Sequence, residues 1–533
     1  MVRKEFGMKR VFDIYRVRPV QALVFVFLFP LSLFLGLEML FSLEWRMAHD
    51  TPLLHYIAFC IDRFDLVPYR DIFENSMPGA YGFHLFIGKT LGYGDLAFRI
   101  VDLIWLSLLL SVTWGVMRRF SKRVAWASVI LFGASYLQHG PTMSLQRDYL
   151  VLLPLAFSIW LAAPPALGSP SIGAFLIGLC FGAIATVKPH LAIGLPFLLI
   201  YIAVEGYDLQ KAIPPKELIG RLVRFGLIAA GGFVLPVGLC LLWLAKGDAL
   251  PYLWELISKY FPLYLRLTGE HRTISGSDRF FYLLWSYRTL GNQSIWLAPA
   301  SLGVYLTFFV ANTKKTQRRF LMLLLCLALV YSIYPIFGGQ FFQYHWMPFQ
   351  YFVVLLSALA LIPLPLSTTP LAQRLFPVLV LIAVTFLFVG PAYEFLQQLR
   401  GLSVPPPKHG RPDQVAAQLE RMNLAPGDTV QPLDWTGGAV HGMLLAEVRP
   451  ATKFWFDYSF YHHVSYPYIQ SLRRRFMTQL RQEQPEVMID FDAKPVVSGA
   501  DTTTAFPALQ AFIDANYVVV FRGDGFDILQ RQE

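Results

Sequence analysis

Asp50 stands a few residues beyond a long apolar run, and Arg70, Asp71, Glu74, Arg147, Asp148, Lys188 and His345 follow it in polar stretches between other apolar runs. A carboxylate in such a place can take or orient the proton of a hydroxyl, while arginine, lysine and histidine can hold an anion that departs as its charge develops. Arginine suits phosphate through its planar fork, which engages two oxygens at once. Together these residue types permit proton transfer and anion binding. Each also has a plainer reading. Asp50 before Thr51-Pro52 reads as a helix N-cap, and Asp71 and Glu74, three apart on an expected short helix, form a solvated face, hold a cation or share an acceptor. Asp148 reads as the partner of Arg147, Lys188 as a snorkelling cation, and His345, between Tyr344 and Trp346, as part of an aromatic belt.

The surrounding elements decide between these readings. The chain has 533 residues, of which 55% are hydrophobic and only 15% charged, against roughly 25% charged in soluble domains. A cytosolic enzyme or a disordered chain is excluded, and the net charge of +10 points to cytoplasmic loops of a membrane protein rather than to nucleic acid. Apolar runs near 19–43, 97–117, 124–139, 149–163, 172–187, 190–204, 225–245, 294–311, 320–337, 347–363 and 375–395 predict an α-helical polytopic protein with about eleven transmembrane helices. Arg3, Lys4, Lys9, Arg10, Arg16 and Arg18 before the first run place the N-terminus inside, and later inside turns carry Arg118, Arg119, Lys122, Arg123, Lys211, Lys216, Arg221, Arg224, Lys314, Lys315, Arg318, Arg319 and Arg374. The loop at 164–171 carries none. This alternation leaves 44–94, 140–148, 246–292 and 338–346 outside a plasma membrane, with the tail on the same side. Within the second run, Arg99 between Asp95 and Asp102 reads as an internally neutralised ion cluster.

The segment SVPPPKHGRPD at 403–413 is a Pro-rich linker. Beyond it DTVQPL, ATKFWF, EVMIDF, YVVVF and FDILQ read as strands, interleaved with helices near 414–422, 466–482 and 506–515. The expected organisation is a membrane domain over 1–397 and a small extracytoplasmic α/β domain over 398–533. No P-loop, GxGxxG or GxSxG is present, and Cys60, Cys180, Cys240 and Cys326 have no CxxC spacing. His462 and His463 sit among aromatics, which suits a sugar-stacking surface or a packed core better than a metal site.

The loop 44–94 is long for a connector. Leu53, Leu54, Ile57, Ala58 and Ile61 after Asp50 predict an amphipathic helix at the membrane surface. With Asp50 closely following the first span, PYRDIFENSMPG at 68–79, LQRDYLVLLP at 145–154 and FFQYHWMP at 341–348, the chain resembles membrane glycosyltransferases of the GT-C class. The resemblance is to the bacterial branch related to protein O-mannosyltransferases and aminoarabinose transferases, and it covers roughly residues 1–400. One departure is that the common Asp-Glu pair is here Asp50-Thr51.

The resemblance implies transfer of a sugar from a polyprenyl-phosphate donor to a lipid, glycan or protein hydroxyl at the extracytoplasmic face, with inversion. Asp50 is then the catalytic base, and Arg70, Asp71, Glu74, Arg147, Asp148, Lys188 and His345 are the substrate-binding candidates. Segment 246–292, with PYLWELISKYFPLYL followed by Arg266, His271, Arg272, Arg279 and Arg288, contacts membrane lipid or recognises the lipid-linked phosphate. Some relatives position a divalent cation with acidic residues, whereas the lone Asp50 favours a site with no metal. The rival readings are a polymerase or ligase of lipid-linked saccharides, a flippase or transporter of them, and an assembly scaffold.

Overall fold

The computed structural model describes residues 2–532 apart from 164–168, 206–213, 268–275, 291–292, 340, 390–409, 435–436, 496 and 498. Most of the expected linker, together with His271 and Arg272, lies outside the described residues. Six helices are long and apolar enough to cross a membrane: Pro19–Glu44, Asp95–Met117, Pro170–Val187, Pro215–Lys246, Lys315–Gly338 and Gln343–Leu361. Shorter apolar helices at Pro189–Val204, Ser294–Val310 and Leu371–Leu387 pack with them. The chain is a multi-pass α-helical membrane protein. The remaining expected spans fall on apolar helices too short to count by length alone, such as Lys122–Leu137 and Leu152–Ala162.

Between lipid-embedded helices apolar side chains gain little by leaving lipid, so close backbone approach has to supply the attraction. The Gly178-xxx-Gly182 spacing does this. A Cβ on Gly178 would stand 1.9 Å from the Ala229 carbonyl oxygen, and one on Gly232 2.1 Å from that of Phe175. Helices Pro170–Val187 and Pro215–Lys246 therefore touch backbone to backbone.

After α1 (Val2–Phe41) the chain forms two short helices, α2 (Thr51–Arg63) and α3 (Pro78–Leu91), before α4 (Asp95–Met117) re-enters the apolar layer. Every residue of α2 from Thr51 to Cys60 is buried. Its apolar face packs on α3 and its polar face is covered by the C-terminal residues, with Tyr56 Oη donating to the Val448 carbonyl at 2.8 Å.

The C-terminal residues form a five-stranded sheet of order β2-β1-β3-β5-β4, with β1 Thr429–Leu433, β2 Arg449–Pro450, β3 Val487–Phe491, β4 Tyr517–Arg522 and β5 Phe526–Arg531. β1 runs parallel to β2 and β3, and β5 runs antiparallel to β3 and β4. Helices Arg411–Arg421, Gly438–Leu445, Pro467–Glu483 and Pro507–Asn516 flank it. ATKFWF is not the expected strand. Gln431 of β1 donates to the Phe454 carbonyl and accepts from Thr452 Oγ1, each at 2.8 Å, and Trp455 Nε1 takes the Thr452 carbonyl at 2.6 Å. Side chains thus satisfy the backbone polar groups that a ladder would have used.

Further contacts seat this unit on the membrane helices. Phe73 N–H donates to the Lys453 carbonyl at 2.8 Å. Arg46 Nε lies 3.0 Å from Asp95 Oδ2 while its Nη1 bonds Asp413, and His441 Nε2 lies 3.3 Å from Asp95 Oδ1. The expected three-residue ion cluster is therefore divided. Asp95 serves the C-terminal unit, and Arg99, 1% exposed, pairs with Asp102 and holds both the Ser42 carbonyl and Ser144 Oγ at 3.0 Å. That anchor fixes the chain ends flanking Asp50 and Arg147.

Candidate active site

Asp50 occupies the N-cap position of α2, yet its side chain makes no capping bond. Thr51 Oγ1 takes the Ala48 carbonyl instead, and the Asp50 carboxylate is directed elsewhere. Its Oδ2 accepts from Arg147 Nη2 at 2.9 Å, and its Oδ1 lies 2.9 Å from His49 Nδ1. His49 reaches it because its φ is +61°, a left-handed conformation that folds its side chain back over the next residue.

Arg147 begins the single-turn helix Arg147–Leu150 and joins two segments that connect apolar helices. Its Nη1 donates to Ser76 Oγ at 2.6 Å. Ser76 in turn donates through N–H and Oγ to Glu74, at 2.7 and 3.2 Å, and Tyr81 Oη donates to Glu74 Oε2 at 2.5 Å. Arg147 Nε has no acceptor. Burial pushes the Asp50 carboxyl up, but His49 and Arg147 outweigh it and hold the group well below the usual carboxylate range. Burial likewise works against the Arg147 charge, and Asp50 more than restores it.

These residues line a cavity of about 270 Å³. Its floor and walls carry His49, Asp50, Glu74, Ser76, Arg147 and Tyr344, and its sides carry Phe73, Tyr260, Tyr264 and Phe342. Tyr260 closes a π-helical turn at Leu256–Tyr260 and stacks on Tyr264 with ring centroids 5.9 Å apart. Gly437, Phe456, Tyr458 and Ser459 of the C-terminal unit form the roof. At Gly437, φ is +80° and a Cβ would stand 3.2 Å from the His49 carbonyl oxygen, so the roof meets the floor beside Asp50.

The candidates read from the sequence divide into three groups. Asp50, Glu74 and Arg147 come together in the cavity. Asp148 and Lys188 lie beneath it. Asp148 is fully buried and pairs with Lys188 Nζ at 2.7 Å and with Tyr334 Oη, while Lys188 lies 5.7 Å from the Tyr344 ring. This corrects two expectations: Asp148 is not the partner of Arg147, because adjacent residues on a helix point about 100° apart, and Lys188, its side chain 14% exposed, does not snorkel.

Arg70, Asp71 and His345 do not line the cavity. Asp71 and Glu74 share neither a helix nor a partner: Asp71 accepts from the Val67 N–H at 2.9 Å and from Arg70 Nη2 at 2.8 Å, closing a turn. Arg70 also holds the Gly247 carbonyl. His345 is buried against the rings of Tyr334, Phe342 and Tyr344. In segment 246–292, Arg266 bonds Tyr466 Oη at 2.7 Å, Arg279 the Leu265 carbonyl, and Arg288 lies over Trp285.

Sequence reasoning missed His49, Ser76, Tyr344 and Gly437 as site residues. His49 and Tyr344 adjoin candidates that were named, so adjacency was an available signal. The aromatic stretch around His462 and His463, read as a sugar-stacking surface or a packed core, contains Phe456, Tyr458 and Ser459 of the roof. Among the described residues no group of three or more His, Cys, Asp or Glu side chains is placed to hold a metal ion.

No protein family matches the sequence, and no curated protein is significantly similar to it. Solved structures are similar in fold. ArnT from Cupriavidus metallidurans bound to undecaprenyl phosphate superposes with a TM-score of 0.56 at 12% identity, covering 97% of each chain. The same protein in the apo state gives 0.53 at 13% identity, covering 98% of each. With the superposition running along nearly the whole chain, this protein has the GT-C fold.

Proposed function

We propose that the chain is a membrane glycosyltransferase that moves a sugar from a polyprenyl-phosphate donor to a hydroxyl of a lipid, glycan or protein acceptor. The observation that carries this reading is the Asp50–Arg147 pair opening into a cavity roofed by a second unit. It unites the two groups the reaction needs. Undecaprenyl phosphate bound to the similar ArnT supports a lipid phosphate as donor.

Arg147 is poised for an exchange of partners. A donor phosphate entering beside it competes for its guanidinium through the unpartnered Nε and the Nη2 now on Asp50. As Arg147 turns to the phosphate, Asp50 is released to accept the proton of the acceptor hydroxyl. The hydroxyl oxygen attacks the anomeric carbon, the bond to phosphate oxygen breaks, and the phosphate leaves with its charge held by Arg147. Lys188, buried behind Tyr344, is neutralised by Asp148 and supports the floor from below. Once Arg147 has turned away, part of what depresses the Asp50 carboxylate is gone, and the released group is more basic when the proton arrives. Direct attack inverts the anomeric configuration.

The site, with the C-terminal unit, is assigned to the extracytoplasmic face by the loop charges. The test is transfer of radiolabelled sugar from a polyprenyl-phosphate donor in reconstituted vesicles, wild type against Asp50→Asn. Label reaching acceptor only with Asp50 intact supports the assignment. Donor crossing the bilayer without transfer makes the protein a flippase.

A further inference from the structure

The cavity is chemically two-sided. Its cationic group, Arg147, belongs to the membrane helices' loops, together with Asp50, His49 and Glu74. The roof residues lining it, Gly437, Phe456, Tyr458 and Ser459, carry no charge. An anionic lipid phosphate is served by the floor alone. The roof faces whatever lies on the other side of the reacting carbon.

Ser459 is 6% exposed, lines the cavity, and its Oγ has no hydrogen-bond partner among the described residues. A buried hydroxyl left unpaired is uncommon in a folded protein and asks for a partner supplied from outside. The rings of Phe456 and Tyr458, which also line the cavity, lie 6.2 Å apart and tilted by 38°. Aromatic faces beside an unspent hydroxyl match a ligand with both apolar C–H faces and hydroxyls. A saccharide has that character; a peptide serine or a fatty acyl chain does not.

We propose that residues 456–459 of the C-terminal unit form the acceptor subsite, built for an uncharged, hydroxyl-rich saccharide. This rests on the reading of the floor as a sugar-transfer site and names its acceptor as a glycan. Ser459 Oγ bonds a saccharide hydroxyl, Tyr458 and Phe456 pack against the ring, and Gly437 permits the roof to sit close enough to His49 for the glycan hydroxyl to reach Asp50.

The test uses the full-length protein in nanodiscs, wild type and the variants Ser459→Ala, Ser459→Thr and Tyr458→Leu. Each is presented to an array of neutral and acidic oligosaccharides, and the best neutral ligand is then titrated. Undecaprenyl phosphate is titrated in parallel. The expected result is binding of a neutral oligosaccharide that weakens about tenfold or more in Ser459→Ala and Tyr458→Leu, recovers in Ser459→Thr, and leaves undecaprenyl phosphate affinity within about twofold of wild type, which also certifies the fold. Absence of neutral saccharide binding by wild type, or equal binding by the variants, overturns the proposal. So does saccharide binding abolished by bound undecaprenyl phosphate, which would put the sugar on the donor side. Failure of the transfer reading is separate: it shows as wild-type transfer by Asp50→Asn, whatever Ser459→Ala does to saccharide binding.

Discussion

Asp50 and Arg147, 97 residues apart in the chain, meet at 2.9 Å with Nη2 on Oδ2, while Nη1 of the same guanidinium holds Ser76. One planar fork thus aligns the segment after the first membrane helix, the second outer loop and the 68–79 segment. Arg147→Lys keeps the charge but offers one ammonium in place of a fork and cannot serve both partners. Transfer should fall at least about tenfold, mainly through kcat. Unchanged kinetics in reconstituted vesicles would show that the charge alone matters.

Asp50→Asn preserves shape and removes the proton acceptor. General-base assistance is worth roughly 10²–10⁴ in rate, so transfer should drop by at least about a hundredfold. Binding of undecaprenyl phosphate, followed by intrinsic tryptophan fluorescence, should be retained or strengthened, because Arg147 no longer has to leave a carboxylate.

The pH profile follows from the same pair. The folded-state pKa of Asp50 lies below its unfolded value, so the carboxylate stays ionised, and its stabilising contact with Arg147 intact, at every pH above about 4. Between pH 5 and pH 8 the transfer rate should show no acid limb from this residue. An inflection that disappears in Asp50→Asn would contradict it. Because His49 and Arg147 already occupy both Asp50 oxygens, EDTA should leave the rate unchanged.

Lys188 and Asp148 test the support under the floor. Breaking a buried ion pair from one side leaves an uncompensated charge, at a cost of about 3–5 kcal/mol. Lys188→Met should therefore melt markedly lower in detergent, and the double variant Lys188→Met/Asp148→Asn should recover much of that loss. Equal melting temperatures for all three proteins would place the pair outside the stability of the fold.

Asp457 should make the protein less stable as pH rises. Burial, reinforced by Asp434, pushes its carboxyl up to about 7 from 3.8. A folded-state pKa above the unfolded one means the folded protein holds the proton more tightly, so stability declines from about pH 4 to about pH 7 and is level above. Asp457→Asn should flatten that decline, an effect bounded at roughly 4 kcal/mol, and should melt higher than wild type at pH 8. Parallel melting curves at pH 5 and pH 8 would refute the assignment.

How far these relationships were legible depends on how local they are. Asp50 stood out because its distance from the first apolar run put a carboxylate at a membrane boundary. Three of the four C-terminal helices and four of the five strand segments were carried by periodicity; Gly438–Leu445 was not expected. Partners were not legible. Arg147 and Asp148 are neighbours in sequence, which suggested a pair, but the helical turn sends one to Asp50 and the other to Lys188. Asp95, Arg99 and Asp102 share a helix face by spacing, yet Arg46 and His441 draw Asp95 toward the C-terminal unit. His49 belongs to the site only through a positive φ that no histidine announces. The ATKFWF segment has strand composition and lost its ladder to the side chain of Gln431.

The roof over Asp50 is drawn from residues 437–459, more than 380 positions downstream of the carboxylate it covers. Synthesis runs from the N-terminus, so every membrane helix described has left the ribosome before the roof exists. The cavity around Asp50 and Arg147 is therefore complete only once the last-made part of the chain has folded over it.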